Sequence, residues 1–332
     1  MEFIIADKER CELGMLPVSV ELDLDLSYES DNKDGVNDGE LVVDDKSIDY
    51  GCYIFCPGTE YGGRILDLKR KTSSTSKTWY FDTWRRMLGQ SIIEPPEGEA
   101  YYRVENTDAN VMLKAVFASR FEEFFVVPEY LSGIKVSGQF DRYTTVLDGI
   151  TKLLKAHGAK IKITAVQGGP GEQFYIQVEA VPIMDYSEEI EYSQDNRVNL
   201  TLRDKRRGIN HLICLGSGEL TERMVRHLFV QEDGSIGNAQ HYFGIDERVA
   251  VHDYPNAEDE NELLESGKEK LESLRNYKKM DMTVDDLDLD IGDIVAGRDR
   301  ETGMYLAQRI VNKVLKIKKG KETITYKVKG DD

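Results

Sequence analysis

The sequence predicts an α+β fold that is mainly β, with two strand-rich ends on either side of an α/β middle. Three observations predict it. Val18, Val20, Leu22, Leu24 and Leu26 alternate with Ser19, Glu21, Asp23 and Asp25, the period of a half-buried strand with one wet, acidic face. Val146, Leu147, Ile150, Leu153 and Leu154 recur instead at helical spacing. Period-two runs then return at Val198, Leu200 and Leu202 and at Ile324, Tyr326 and Val328.

Each element follows from local chemistry. After the first strand, ESDNKDGVNDGE is turn material, because Asn, Asp and Gly tolerate positive φ and form Asx turns. Leu41 to Val43, Tyr53 to Phe55, Arg64 to Leu68 and Thr78 to Phe81 read as short strands, a spacing that suits a small barrel or sandwich. IIEPPEGEA, with Pro95, Pro96 and Gly98, reads as a boundary. Thr107 is placed to cap a helix over Asn110 to Ser119, and Gly158 to end the helix that begins near Val146. QGGPGE joins two further strands, Ile161 to Ala165 and Phe174 to Ala180, as a hairpin. INHLICL is a compact apolar run, and Asp259 to Asn276 an acidic helix in which Gly267 costs about 1 kcal/mol against Ala. Ile294 to Ala296 and Tyr305 to Ile317 complete the second strand-rich end. The expected division is 1–98, 99–185 and 186–332, the last carrying the helix of about 259–276 as an insertion.

Composition narrows the function classes. The chain has 332 residues, a formal net charge of -18 and 40% hydrophobic content. That is enough apolar material for real cores. The acidic balance opposes nonspecific nucleic-acid binding and docking on anionic membranes, both of which need clustered Lys and Arg. No apolar run approaches the roughly 20 residues of a membrane helix. MEFIIADKER lacks a basic stretch followed by a long apolar run, so no secretory signal is expected, and the four cysteines are expected to stay reduced in a cytosol.

The motifs that could carry chemistry do not assemble one. Cys52 and Cys56 in CYIFCPGTEYGG have no second thiol pair, since Cys11 and Cys214 stand alone, and they read as buried structural residues. His157, His211, His227, His241 and His252 form neither H-x3-H nor HExxH, although His241 and His252-Asp253 could approach in space. LGSGEL lacks the Lys-Ser/Thr of a P-loop, the GxGxxG of a dinucleotide site and the GxSxG of a serine hydrolase, and reads as a turn. A calcium loop aligned on Gly35 puts Ser30, Asn32 and Asp34 at ligand positions but Leu41 where Glu is required; aligned on Gly39 it puts Val36 at a ligand position. Asp285 to Asp293 reads as a solvated strand or loop, and RDKRRG, Arg203 to Gly208, as an intersubunit salt-bridge patch. With 61 acidic residues, no carboxylate pair is singled out for glycoside hydrolysis. The sequence therefore assigns no catalytic, cofactor-binding or metal residue, and predicts a chain that is not an enzyme.

The order of its stretches goes further. YIFCPGTEYGGRI, followed by a strand and by KTWYFDTWRRMLGQSIIEPPEGEAYYRV, resembles the N-terminal part of bacteriophage tail-hub (baseplate hub) proteins. GINHLICLGSGELTERMVRHLFVQEDGSIG and DIGDIVAGRDRETGMYLAQRIVNKVLKIKKGKETITYKV look like the same group of siphovirus and prophage tail proteins. The resemblance implies two small antiparallel β-barrel-like domains flanking the α/β middle. It implies a homotrimer whose ring of barrels joins the tail tube to the tip and passes DNA. Implied partners are a distal tail or tail-tube protein, a tape-measure protein and tail-tip proteins, with synthesis in the bacterial host cytoplasm and residence in the virion. A tail-associated cell-wall hydrolase or a carbohydrate-binding tail-tip module is the alternative. A ring on a DNA path is expected to present an acidic lumen, from the Glu21, Asp23, Asp25 face or from Asp285 to Asp293.

Overall fold

Leu22, Leu24 and Leu26 are buried in the computed structural model and Asp23 is exposed, so the first alternation does build a half-buried strand. The structure describes residues 1–332 apart from 18, 31–35, 45–46, 71, 73–76, 119, 122, 170, 188–190, 193–197, 258, 285–288, 299–300 and 330–332. The N-terminal strands are β1 Ile4–Ala6, β2 Glu12–Met15, β3 Glu21–Ser27, β4 Asp38–Val43, β5 Tyr53–Phe55, β6 Gly62–Arg70 and β7 Lys77–Thr83. Helix α1, Trp84–Gly89, follows, then β8 Arg103–Asp108, α2 Ala109–Phe117, β9 Phe125–Val126, β10 Lys135–Gln139, α3 Val146–Lys155, β11 Ala159–Val166 and β12 Tyr175–Pro182. The remainder comprises β13 Glu191–Tyr192, β14 Val198–Lys205, β15 His211–Leu215, β16 Val225–Val230, β17 Ile236–Gly237, β18 Val249–Asp253, α4 Glu260–Leu274, β19 Tyr277–Val284, β20 Ile294–Arg298, β21 Tyr305–Lys318 and β22 Lys321–Lys329. The fold is mainly β, as expected.

The chain divides into two compact units, Met1–Thr201 with Met280–Asp332, and Leu202–Lys279. In the first, 13 strands among the described residues join one sheet, and its central path runs β14-β19-β22-β21-β3-β4-β7-β6-β5-β1-β2. Antiparallel pairing of β21 with β3, Leu315 opposite Leu24, connects the two strand-rich ends. Bulges between Ile65 and Asp67 and between Ile310 and Asn312 add local twist, and the sheet curls into a half-barrel. The α/β middle packs on this sheet through aromatic rings. Phe55 stacks on Phe174 at 4.3 Å, and Tyr53, Trp84 and Phe124 surround that pair. Residues on both sides of the expected boundary at Gly98 therefore share one core. The expected boundary marks a loop in the sequence, whereas the packing is continuous across it.

The second unit holds the four-stranded sheet β17-β16-β15-β18, with α4 laid on one face over Leu212, Cys214 and Leu228. Here the structure differs from the expected insertion: the acidic helix is one element of Leu202–Lys279 rather than the whole insert. Gly267 has a packing reason to stand inside that helix. A Cβ there would lie 2.5 Å from Cys214 Sγ and 2.9 Å from Leu228 Cδ1.

Two local expectations are corrected. Asp108, not Thr107, caps α2, accepting from the Asn110 N–H at 3.0 Å, while Thr107 Oγ1 donates to the Glu105 carbonyl. The helix ends at Phe117, and Ser119 lies outside the described residues. Helix α1 was unexpected. It begins where the strand alternation of β7 ends, capped by Thr83, and buries Trp84 and Leu88.

Candidate functional site

The turn CPGTEYGG is built from its own residues. Gly58 takes a φ of 76°, and Thr59 Oγ1 donates to the Cys56 carbonyl at 2.8 Å while accepting from the Tyr61 N–H. The turn then docks on β11 through Gly58 N–H to Ala165 O, 2.9 Å, and Ala165 N–H to Thr59 O, 2.8 Å. Glu60 receives Nε and Nη2 of the buried Arg85, the latter at 3.1 Å. Gly62 and Gly63 pass between β5 and β7 where side chains do not fit. A Cβ on Gly62 would lie 2.5 Å from Ile54 O, and one on Gly63 2.3 Å from Asp82 O.

The wet face of β3 opens on a cleft of about 780 Å³. Register puts its residues together. Lys316, Asp23, Glu40, Tyr80 and Asp67 stand in one row across β21, β3, β4, β7 and β6. The cleft is lined by six described carboxylates, Asp23, Asp25, Asp38, Glu40, Asp67 and Asp82, against three cations, Arg86, Lys316 and Lys327. Lys316 Nζ lies 2.7 Å from Asp23 Oδ2, and Arg86 Nε 3.1 Å from Asp82 Oδ1. Burial pushes the Asp25 carboxyl above its ordinary value, only partly offset by Asn312, whose Nδ2 donates to both its oxygens at 2.9 Å. The surplus of carboxylates gives the cleft a negative field, which repels phosphate and attracts cationic groups.

The other sequence candidates go to structural contacts. Cys52 and Cys56 flank β5, both buried, and burial pushes the Cys56 thiol up. Among the described residues no group of three or more His, Cys, Asp or Glu could hold a metal ion. His157 bonds Leu153 O and the Ser137 N–H, His252 bonds Ser266 Oγ, and His241 sits edge-on to Tyr242. LGSGEL forms a tight turn closed by Gly216 N–H to Met224 O, 2.8 Å. Arg206 pairs with Asp204 in its own stretch. Of the calcium-loop alignments, Asn32, Asp34 and Gly35 lie outside the described residues, and Gly39 sits within β4 with the Phe81 ring over it. Asp285 to Asp288 also lie outside the described residues. Asp293 departs from the solvated reading, since it is buried and paired with Lys160.

One cluster escaped the sequence reading. His211 Nε2 meets His227 Nδ1 at 2.7 Å, and His211 Nδ1 meets Glu247 Oε1 at 2.6 Å. The two histidines lie on one face of the β15–β16 pair, separated by one diagonal step of the register, which no H-x3-H search detects.

No family model and no curated protein matches the sequence. Solved structures do match. A protein of the p2 virion baseplate in its activated conformation superposes over 100% of this chain and 99% of its own, with a TM-score of 0.53 at 12% identity. The 43 kDa tail protein of prophage MuSo2 from Shewanella oneidensis superposes over 99% and 98%, with a TM-score of 0.52 at 11% identity. The chain has the fold of phage tail and baseplate proteins. In this chain the acidic cleft lies on the half-barrel sheet, and the CPGTEYGG turn ties that sheet to the middle. Among the described residues no helix is long and apolar enough to cross a membrane.

Proposed function

We propose that this chain is a structural component of a phage or prophage tail tip or baseplate, a hub on which the tail tube ends. Three copies form a ring that passes DNA, contacting a distal tail or tube protein, a tape-measure protein and the tip proteins. The ring is built from strands of 1–98 and 186–332, and the middle, 99–185, faces neighbouring tip proteins. The role is structural rather than enzymatic, and the chain resides in the virion after synthesis in the host cytoplasm. The observation that carries this reading is the end-to-end likeness to baseplate and tail proteins, which spans both chains almost completely. The acidic cleft adds to it. A surface bearing Asp23, Glu40 and Asp67 toward a DNA path repels the backbone phosphates, so DNA slides without sticking.

The test is electron microscopy of tails assembled with a tagged copy of the full chain. Label at the distal end of the tube, in a threefold ring with the β3–β4 face toward the bore, is the expected result. Tails that form and eject DNA without the chain would refute the proposal.

A further inference from the structure

Strand β18 is an open edge of the second unit's sheet. The order β17-β16-β15-β18 gives it a neighbour on one side only. Its ladder with β15 is parallel, from His211 opposite Val249 to Leu215 opposite Asp253. At one end the His211 N–H donates to Arg248 O at 3.1 Å, and at the other the Tyr254 N–H donates to Leu215 O at 2.8 Å. Alternate residues of a strand turn both backbone groups to the same side. Ala250 and His252 therefore turn theirs to β15, while Val249, Val251 and Asp253 turn theirs outward. The outward N–H and C=O groups have no hydrogen-bond partner among the described residues. Protein edges are usually guarded by Lys, Pro, a bulge or brevity. The opposite edge, β17, has only two residues. β18 has five, VAVHD, with no Lys, no Pro and an unbroken register. Its outward residues also show apolar side chains, with Val249 46% exposed and Val251 59%. Val251 stands opposite Ile213, on the face away from α4, which covers Leu212, Cys214 and Leu228.

We infer that β18 takes an added strand: an extended segment of about five residues from a neighbouring tail protein, with β-branched or aromatic residues opposite Val249 and Val251. The segment's backbone pairs with the outward groups of Val249, Val251 and Asp253 and supplies the affinity, and its side chains opposite the two valines supply the specificity. A second copy of this chain fits less well. Antiparallel self-pairing centred on Val251 sets the Asp253 carboxylate beside Val249 of the other copy at both ends, where a strand of different sequence brings an apolar residue. The choice of a tail protein as partner rests on the proposed function; the open edge does not.

Hydrogen exchange resolved to single amides, on the full chain alone and in purified tails, tests it. In the isolated chain the Val249, Val251 and Asp253 amides exchange fast, while Ala250 and His252, bonded to β15, exchange slowly. In tails the three outward amides slow by about 10-fold or more, the worth of one hydrogen bond each. Val251→Pro removes an outward donor and spares the ladder to β15. It keeps the parent's Tm, and in tails its Val249 and Asp253 amides stay fast; protection equal to the parent's overturns the assignment. The parent reading needs no variant. A chain present in tails whose outward amides still exchange fast overturns the added strand and leaves the tail reading standing. A chain absent from tails overturns both. Protection that appears in the isolated chain as its concentration rises gives the edge to a second copy and overturns the tail-protein partner.

Discussion

Lys160 Nζ lies 2.8 Å from Asp293 Oδ2, and both side chains are 3% exposed. The pair joins β11 of the middle to the segment leading into β20, and Asp293 Oδ1 also accepts from the Met184 N–H at 2.9 Å. Removing one member of such a pair leaves the other charge buried without its counter-ion, which costs about 3–5 kcal/mol, whereas removing both together can be near neutral. Lys160→Met is therefore expected to lower the urea midpoint of the first unit sharply. Lys160→Met combined with Asp293→Asn should recover much of the loss. Two equal, additive single-variant losses would show that the charges do not act as a pair.

Gly63 is fixed by close approach rather than by conformation. A Cβ there would meet Asp82 O at 2.3 Å and Phe81 Cδ2 at 2.6 Å, and neither strand can retreat without breaking the β6–β7 ladder. Gly63→Ala is expected to cost about 2–4 kcal/mol in denaturant unfolding. Gly58 is the contrast: its φ is 76° and nothing lies within 4 Å of an added Cβ. Gly58→Ala should cost about 1–2 kcal/mol, from left-handed backbone strain alone. If the two variants prove equally stable, packing at Gly63 is not the constraint.

Cys52 and Cys56 serve as small buried apolar groups on this reading. Replacing both by Ala removes two sulfur atoms from the core and should cost about 1–3 kcal/mol in total. Because burial raises the Cys56 thiol, native protein should react there only slowly with a thiol reagent, and the half-buried Cys11 should react first. Elemental analysis of parent and variant should give the same metal content. A stoichiometric metal lost on substitution would make C-x3-C a ligand pair after all.

Period-two and helical spacing made β3, α3 and the β11–β12 hairpin legible, because each is set by which of its own residues meet a core. The joining of the two ends was not legible. Leu24 and Leu315 are opposite one another, yet nothing local to either names its partner. Helix α1 is six residues long, too short to establish a period before its strand context hides it. The acidic face was half legible. The alternation of Asp23 and Asp25 showed a wet side, but Glu40, Asp67 and Asp82 join it only through register. The turn GTEYGG stood out in the sequence, whereas the Glu60–Arg85 pair that anchors it spans 25 residues and has no local mark.

Asp108 gives the fold a defined acid response. Its Oδ1 accepts from the Asn110 N–H and from the N–H and hydroxyl of Ser132, and its Oδ2 from the Gly133 N–H at 2.9 Å. Burial alone would raise its pKa, but the bonds from Ser132, Asn110 and Gly133 outweigh that and hold the carboxyl below its ordinary value. A carboxylate depressed in the folded state contributes stability that is present above the unfolded pKa, about 3.9, and is lost as the pH falls through the lower folded value. Asp108→Asn keeps the shape but presents an NH2 to a backbone N–H that needs an acceptor. It should cost about 2–3 kcal/mol near pH 7, from the cap and the orphaned donors. Below about pH 4 the gap between parent and variant should narrow, since the parent alone gives up this contribution. Urea midpoints measured from pH 3 to pH 7 on both proteins check this, and parallel curves across that range would assign the loss to shape rather than charge.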